Sequence, residues 1–236
     1  MCGVLVVAAV CPHPPLLVPG VAAGATAETD DLRAACDAAV ALLLAAQPDL
    51  VVVVGAADRM GPFPAGAWGS LRAYGLDDRD LGIVAGDGEP TLPLPLTLGR
   101  WLLDRARGAA GALLFGVAVD AAPDRCVEIG TALADREQRV GMLVMGDGTG
   151  RRTPKPGYLD DRAEPFDGSV SSALATADAA ALADLDVVLA EDLLVQGRAA
   201  WQVLAGAAGG TAWRGDVTYD AAPYGVGYLV ATWLPA

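Results

Sequence analysis

The sequence has one histidine, His13, and one lysine, Lys155, among 236 residues. A single imidazole excludes any site built from protein histidines alone in pairs or triads. Aromatic residues make up only 6% of the chain, so Ala, Val, Leu and Gly supply most of its apolar content. Positive charge is also scarce: 16 basic against 29 acidic residues leave a net charge of -13. Phosphate backbones and anionic membrane surfaces are repelled on average by such a chain, so neither is expected as a partner. No apolar run reaches the ~20 residues that span a bilayer. No Lys or Arg precedes Arg33, which speaks against reading VLVVAAV as a signal-peptide core. The four cysteines form no C-x-x-C pair, and this suits a reducing compartment. A cytoplasmic protein is the expectation.

Hydrophobic residues, by contrast, supply 53% of the chain, enough for one substantial core. Four apolar runs lack the alternation of a half-exposed strand: Val4 to Val10, Leu50 to Val54, Leu113 to Val119 and Val140 to Met145. Such runs are buried on both faces, as in a sheet covered by helices. Helical patterns lie between them. The first is expected to be capped by Thr29, with Asp30 and Asp31 in its first turn and Pro48 at its end. Others cover Leu96 to Arg107, Arg125 to Ala134, Ala163 to Leu182, Asp186 to Val195 and Arg198 to Ala207. Two late strands are expected near Thr211 to Val217 and Tyr224 to Trp233. The pattern predicts a single α/β domain over residues 1–236, with a central, mostly parallel or mixed sheet covered by helices on both faces. The segment from Ala56 to Pro95 is too long to lack function or short elements of its own.

Open α/β sheets bind ligands beyond the carboxyl ends of their strands. The residues that follow each strand are therefore the candidates. CPHPPLLVPG follows the first and holds His13 between prolines that restrict it to extended backbone. Asp58 follows the second. GDGTGRR follows the fourth, with Asp147, Thr149, Arg151 and Arg152. Asp216 precedes the last strand, in RGDVTYD. His13, Asp58 and Asp216 would make a one-histidine, two-carboxylate site suited to Fe(II), Mn(II) or Zn(II). Taken singly, each aspartate reads more readily as a turn or helix cap. Arg151 and Arg152 would attract an anionic ligand. GDGTGRR lacks both the G-K-[ST] ending of a P-loop and the G-x-G-x-x-G order of a dinucleotide fold.

Together, VCPHPPLLVPG, DLVVVVGAAD, LVMGDGTGRR and YGVGYLVATW resemble the class III extradiol ring-cleavage dioxygenases and the Memo-like branch of that superfamily. The likeness runs along the whole chain in the same order, and PHPPLLVP is its most specific part. It implies an oxidoreductase fold with a divalent metal, Fe(II) before Zn or Mn, held by two histidines and a glutamate, with a further histidine as acid/base. His13 matches the first histidine. Ala57 or Asp58 stands where the second would be. Asp147 is retained in the acid/base turn, with Thr149 at its serine and Gly150 in place of its histidine. Asp216 is the nearest match to the acidic ligand. The resemblance thus implies catalytic positions Asp147 and Thr149, and metal positions His13, Asp58 and Asp216. It also carries the expectation that ring cleavage is impaired, because a threonine hydroxyl titrates too high to act as the base. A small-molecule ligand and a homo-oligomeric assembly fit the same reading. The alternative is a non-catalytic binding or regulatory module on this fold.

Overall fold

The computed structural model describes residues 4–21, 26–77, 89–107, 111–136, 138–154 and 158–236. Its centre is a seven-stranded mixed sheet. The strands are β1 (Val4–Cys11), β2 (Leu50–Ala56), β3 (Gly61–Pro62), β4 (Leu113–Val117), β5 (Arg139–Met145), β6 (Trp213–Ala221) and β7 (Tyr228–Pro235), in the spatial order β3-β4-β2-β5-β1-β7-β6. The four apolar runs form the parallel centre, β4-β2-β5-β1. β7 pairs antiparallel with β1, β6 with β7, and β3 with β4.

Side chains on these strands alternate between two cores. Val52, Val54, Met142 and Val144 face one core, and Val51, Val53, Leu143 and Met145 face the other. The second core is closed by α1 (Thr26–Ala45) and α2 (Leu94–Arg105). The first is closed by α3 (Pro123–Ala134), α4 (Ala163–Thr176), α5 (Ala179–Ala183) and α7 (Arg198–Ala208), with the short α6 (Val187–Asp192) at its margin. Burial on both faces explains why the strand sequences show no alternation.

Several boundaries differ from expectation. Thr29 does not cap α1; it lies inside the helix, buried, because the helix starts at Thr26. The helix expected over 163–182 is two helices. Ala177 adopts a left-handed conformation (φ 52°), and the Asp178 carboxylate accepts the Ala181 amide at 3.0 Å to start α5. Alanine in that conformation gives no breaker signal in sequence. Asp186 caps α6 in the same way, accepting from the Leu189 amide at 2.7 Å. The last strand begins at Tyr228, since Gly225 (φ 78°) turns the chain before it. The segment 56–95 does contain short elements, namely β3 and a 3₁₀ turn over Arg72–Tyr74; its residues 78–88 lie outside the described residues.

Candidate functional site

β1 and β5 are parallel neighbours, and their last residues, Cys11 and Met145, stand in register. The chain therefore brings His13 and Asp147, each two residues further on, to the same point of the sheet's carboxyl edge. The His13 amide donates to Asp147 Oδ1 at 2.7 Å, and its ring Nδ1 lies 3.5 Å from the same oxygen. His13 is 5% exposed, and its buried Nδ1 has no hydrogen-bond partner. The backbone under the pair is locked. The Gly146 amide donates to the Cys11 carbonyl at 3.0 Å, and the Asp147 carbonyl accepts from the Gln196 and Gly197 amides at 3.2 and 2.8 Å.

Burial dominates the electrostatics of this pair. It holds the His13 imidazole below its ordinary pKa, against the pull of the Asp147 charge. It raises the Asp147 carboxyl, against both His13 contacts. The two groups are thereby pushed toward each other in proton affinity. Behind them sits the buried Tyr228, whose phenol is held well above its usual range, first by burial and then by Asp147. The buried Cys36 thiol is hydrogen-bonded to Cys11, and this bond together with burial raises its pKa, so it stays protonated.

The expected metal ligands are not brought together. Asp58 does follow β2, but β5 separates β2 from β1, and the aspartate is exposed on a turn between clefts of about 360 and 640 Å³. Asp216 lies within β6, exposed, opposite Thr232, which pairs in turn with Ala9. That places it two strands from β1, roughly 10 Å sideways, and level with Ala9 rather than with the strand exit. Among the described residues no three His, Cys, Asp or Glu side chains are placed to hold a metal ion. One imidazole and one carboxylate do not fit the ligand set of Fe(II), Zn(II) or Mn(II).

Thr149 also departs from its expected catalytic place. It is 0% exposed, and its amide and hydroxyl donate to the two oxygens of Asp167 at 2.9 and 2.8 Å. Arg152, expected to meet an anionic ligand, is engaged by Asp167 and Glu164, at 3.4 and 3.5 Å. Arg151 donates to the Asp192 carbonyl at 3.3 Å. GDGTGRR is thus a structural clasp around Asp167, with only Asp147 turned to His13. Burial raises the Asp167 carboxyl while Thr149 and Arg152 oppose it.

Sequence reading missed Asp167 and Arg198. Asp167 shares the buried stripe of α4 with Val170 and Leu174, at helical spacing. Arg198 and Gln202 stand four apart in the otherwise apolar α7. A polar residue on an apolar helical stripe was the available signal in both cases.

The chain matches no family model and no curated protein. Among solved structures it is similar to the uncharacterized protein JW3007 from Escherichia coli K12, at 13% identity and a TM-score of 0.47, covering 97% of this chain and 99% of that one. Among the described residues no helix is long and apolar enough to cross a membrane.

Proposed function

We propose that this chain is a diverged relative of the class III extradiol dioxygenases that binds a small molecule at the carboxyl edge of its sheet and has lost ring cleavage. In this reading His13 and Asp147 act as a hydrogen-bonding and proton-accepting pair for the ligand. The observation that carries it is the buried His13 ring, whose Nδ1 makes no hydrogen bond among the described residues, set against the Asp147 carboxylate. Buried polar atoms in native proteins are normally satisfied, and Asp147 Oδ1 at 3.5 Å is long for a hydrogen bond to this nitrogen, which supports a polar group bridging the two. The resemblance in PHPPLLVP supports the ancestry. Loss of cleavage is supported by the missing imidazoles and by the separation of Asp58 and Asp216 from His13. A positioned acid or base contributes typically ~10²–10⁴ in rate, and Thr149, buried against Asp167, does not replace it.

The test is oxygen uptake by protein reconstituted anaerobically with Fe(II) and then mixed with catechol or protocatechuate. The wild type is expected to consume no more oxygen than His13→Ala. Catechol-dependent uptake that is abolished in His13→Ala would overturn the proposal and restore an iron dioxygenase.

A further inference from the structure

The smaller of the two clefts beside Asp58 opens on the same edge, beyond the ends of β2 and β4 and against α6 and α7. Its volume, about 360 Å³, lies in the range of small-molecule sites. It is distinct from the His13–Asp147 pair, neither of which lines it.

Arg198, 2% exposed, lines this cleft. Its Nη1 donates to the Ala121 carbonyl at 2.6 Å and to Gln202 Oε1 at 2.8 Å, and its Nη2 donates to the Val119 carbonyl. Gln202 is held in turn, its amide donating to the Ala183 and Leu185 carbonyls at 2.9 and 3.0 Å. All these acceptors are neutral. Among the described residues no carboxylate forms an ion pair with Arg198. A guanidinium carries five N–H groups, so two remain. A buried charge without a contacting counter-ion is costly; burial holds the Arg198 pKa below its ordinary value, against the opposing pull of Cys126 and of Asp120, which lines the same cleft.

The rim has the opposite character. Asp58, Asp120 and Glu191 line the cleft and are exposed. They repel a simple anion, as does the net charge of -13. An anion that carries its own positive charge meets both requirements. The walls between floor and rim, from Ala118, Val187, Ala190 and Val195, are small and aliphatic.

We propose that this cleft binds a small zwitterion: an amino acid with a short aliphatic body, its carboxylate on Arg198 and its ammonium among Asp58, Asp120 and Glu191. The exposed carboxylates at the mouth would steer the ammonium of the ligand.

Calorimetric titration tests it, with glycine, L-alanine, L-valine and γ-aminobutyrate as probes. Isobutyrate and isobutylammonium serve as singly charged controls. At least one zwitterion is expected to bind saturably, about tenfold or more tighter than either control. The exposed pair Asp120→Asn with Glu191→Gln is expected to weaken that binding by a similar factor at unchanged melting temperature. Arg198→Lys keeps the charge but not the fork and is expected to abolish it. Absence of saturable binding by any zwitterion at millimolar concentration would overturn the proposal. Equal binding of isobutyrate, unaffected by the rim variants, would overturn it in favour of a plain anion site. An Arg198→Lys protein that is less stable but binds normally would assign the guanidinium to structure alone.

Discussion

Replacing Asp167 with alanine is expected to destabilise the protein by about 3–5 kcal/mol. The carboxylate is 2% exposed and accepts from the Thr149 amide, the Thr149 hydroxyl and Arg152. Truncation removes all three acceptor contacts at once, and the buried Thr149 amide and hydroxyl lose their protein acceptor. The site is also tightly fitted. A Cβ on Gly148 would lie 2.5 Å from Asp167 Oδ1, and one on Gly227 would lie 2.3 Å from Oδ2. No larger side chain fills the space without moving backbone. Asp167→Asn keeps the volume and one acceptor and is expected to cost about 1–2 kcal/mol, because an amide N–H then opposes one of the donors. Urea unfolding of the two variants measures this ordering. Equal, small losses would show that Asp167 is not the anchor of the clasp. Because the clasp carries Asp147 two residues before Thr149, Asp167→Ala is expected to disturb His13 as well.

Gly130→Ala is expected to be nearly as severe, at about 3 kcal/mol. α3 and α7 approach so closely that a Cβ on Gly130 would stand 1.9 Å from the Val203 carbonyl oxygen, and one on Gly206 would stand 2.1 Å from the Val127 carbonyl oxygen. Backbone atoms of a packed helix do not yield as a flexible side chain does, so the helices must separate. Separation opens the first core around Trp201, which is fully buried. The double variant with Gly206→Ala is expected to cost less than the sum of the two, since one separation relieves both clashes. Gly168→Ala is the control. Gly168 lies exposed in α4 with nothing within 4 Å of a Cβ, and alanine there is expected to stabilise by ~0.5–1 kcal/mol. Thermal unfolding separates these outcomes; an unchanged midpoint in Gly130→Ala would contradict the packing described.

Much of the fold was legible because burial on both faces writes itself into composition. The runs Val4 to Val10 and Val140 to Met145 have no polar residue to hide, and they form adjacent central strands. The rule that strand exits collect ligands singles out both His13 and Asp147, but their pairing depends on β1 and β5 being neighbours, which the structure supplies. What the sequence does not encode locally is strand order. Asp58 and Asp216 each sit near a strand, but β5 intervenes on one side, and on the other β7 intervenes. Around Asp216 the alternation of Trp213, Gly215, Val217 and Tyr219 with Arg214, Asp216, Thr218 and Asp220 signals a strand with one exposed face, but not its place in the strand order. Thr149 and Arg152 depart from expectation for a related reason. Their partner, Asp167, lies on α4, and only tertiary packing brings it beneath them. The family likeness points to the same positions and carries the same blindness to which side chains actually meet.

The most direct test of the central claim follows the single imidazole by NMR. His13 is the only histidine, so its ring proton resonances need no assignment by mutation. The folded protein is expected to titrate below the ordinary histidine value of 6.5, and Asp147→Asn lower still, because the carboxylate raises His13 against burial. The sign for stability follows. Through His13, stability drops as pH falls below about 6.5, where the unfolded chain takes up a proton that the folded chain refuses, until the folded imidazole itself titrates; the raised Asp147 carboxyl contributes with the opposite sign, because the folded chain protonates it before the unfolded chain does. Stoichiometric Zn(II) is then expected to leave the His13 resonances and their titration unchanged, as for a hydrogen-bonding pair without a ligand set. Loss of the titration with one equivalent of Zn(II), accompanied by a shifted imidazole resonance, would contradict the account and make His13 a metal ligand.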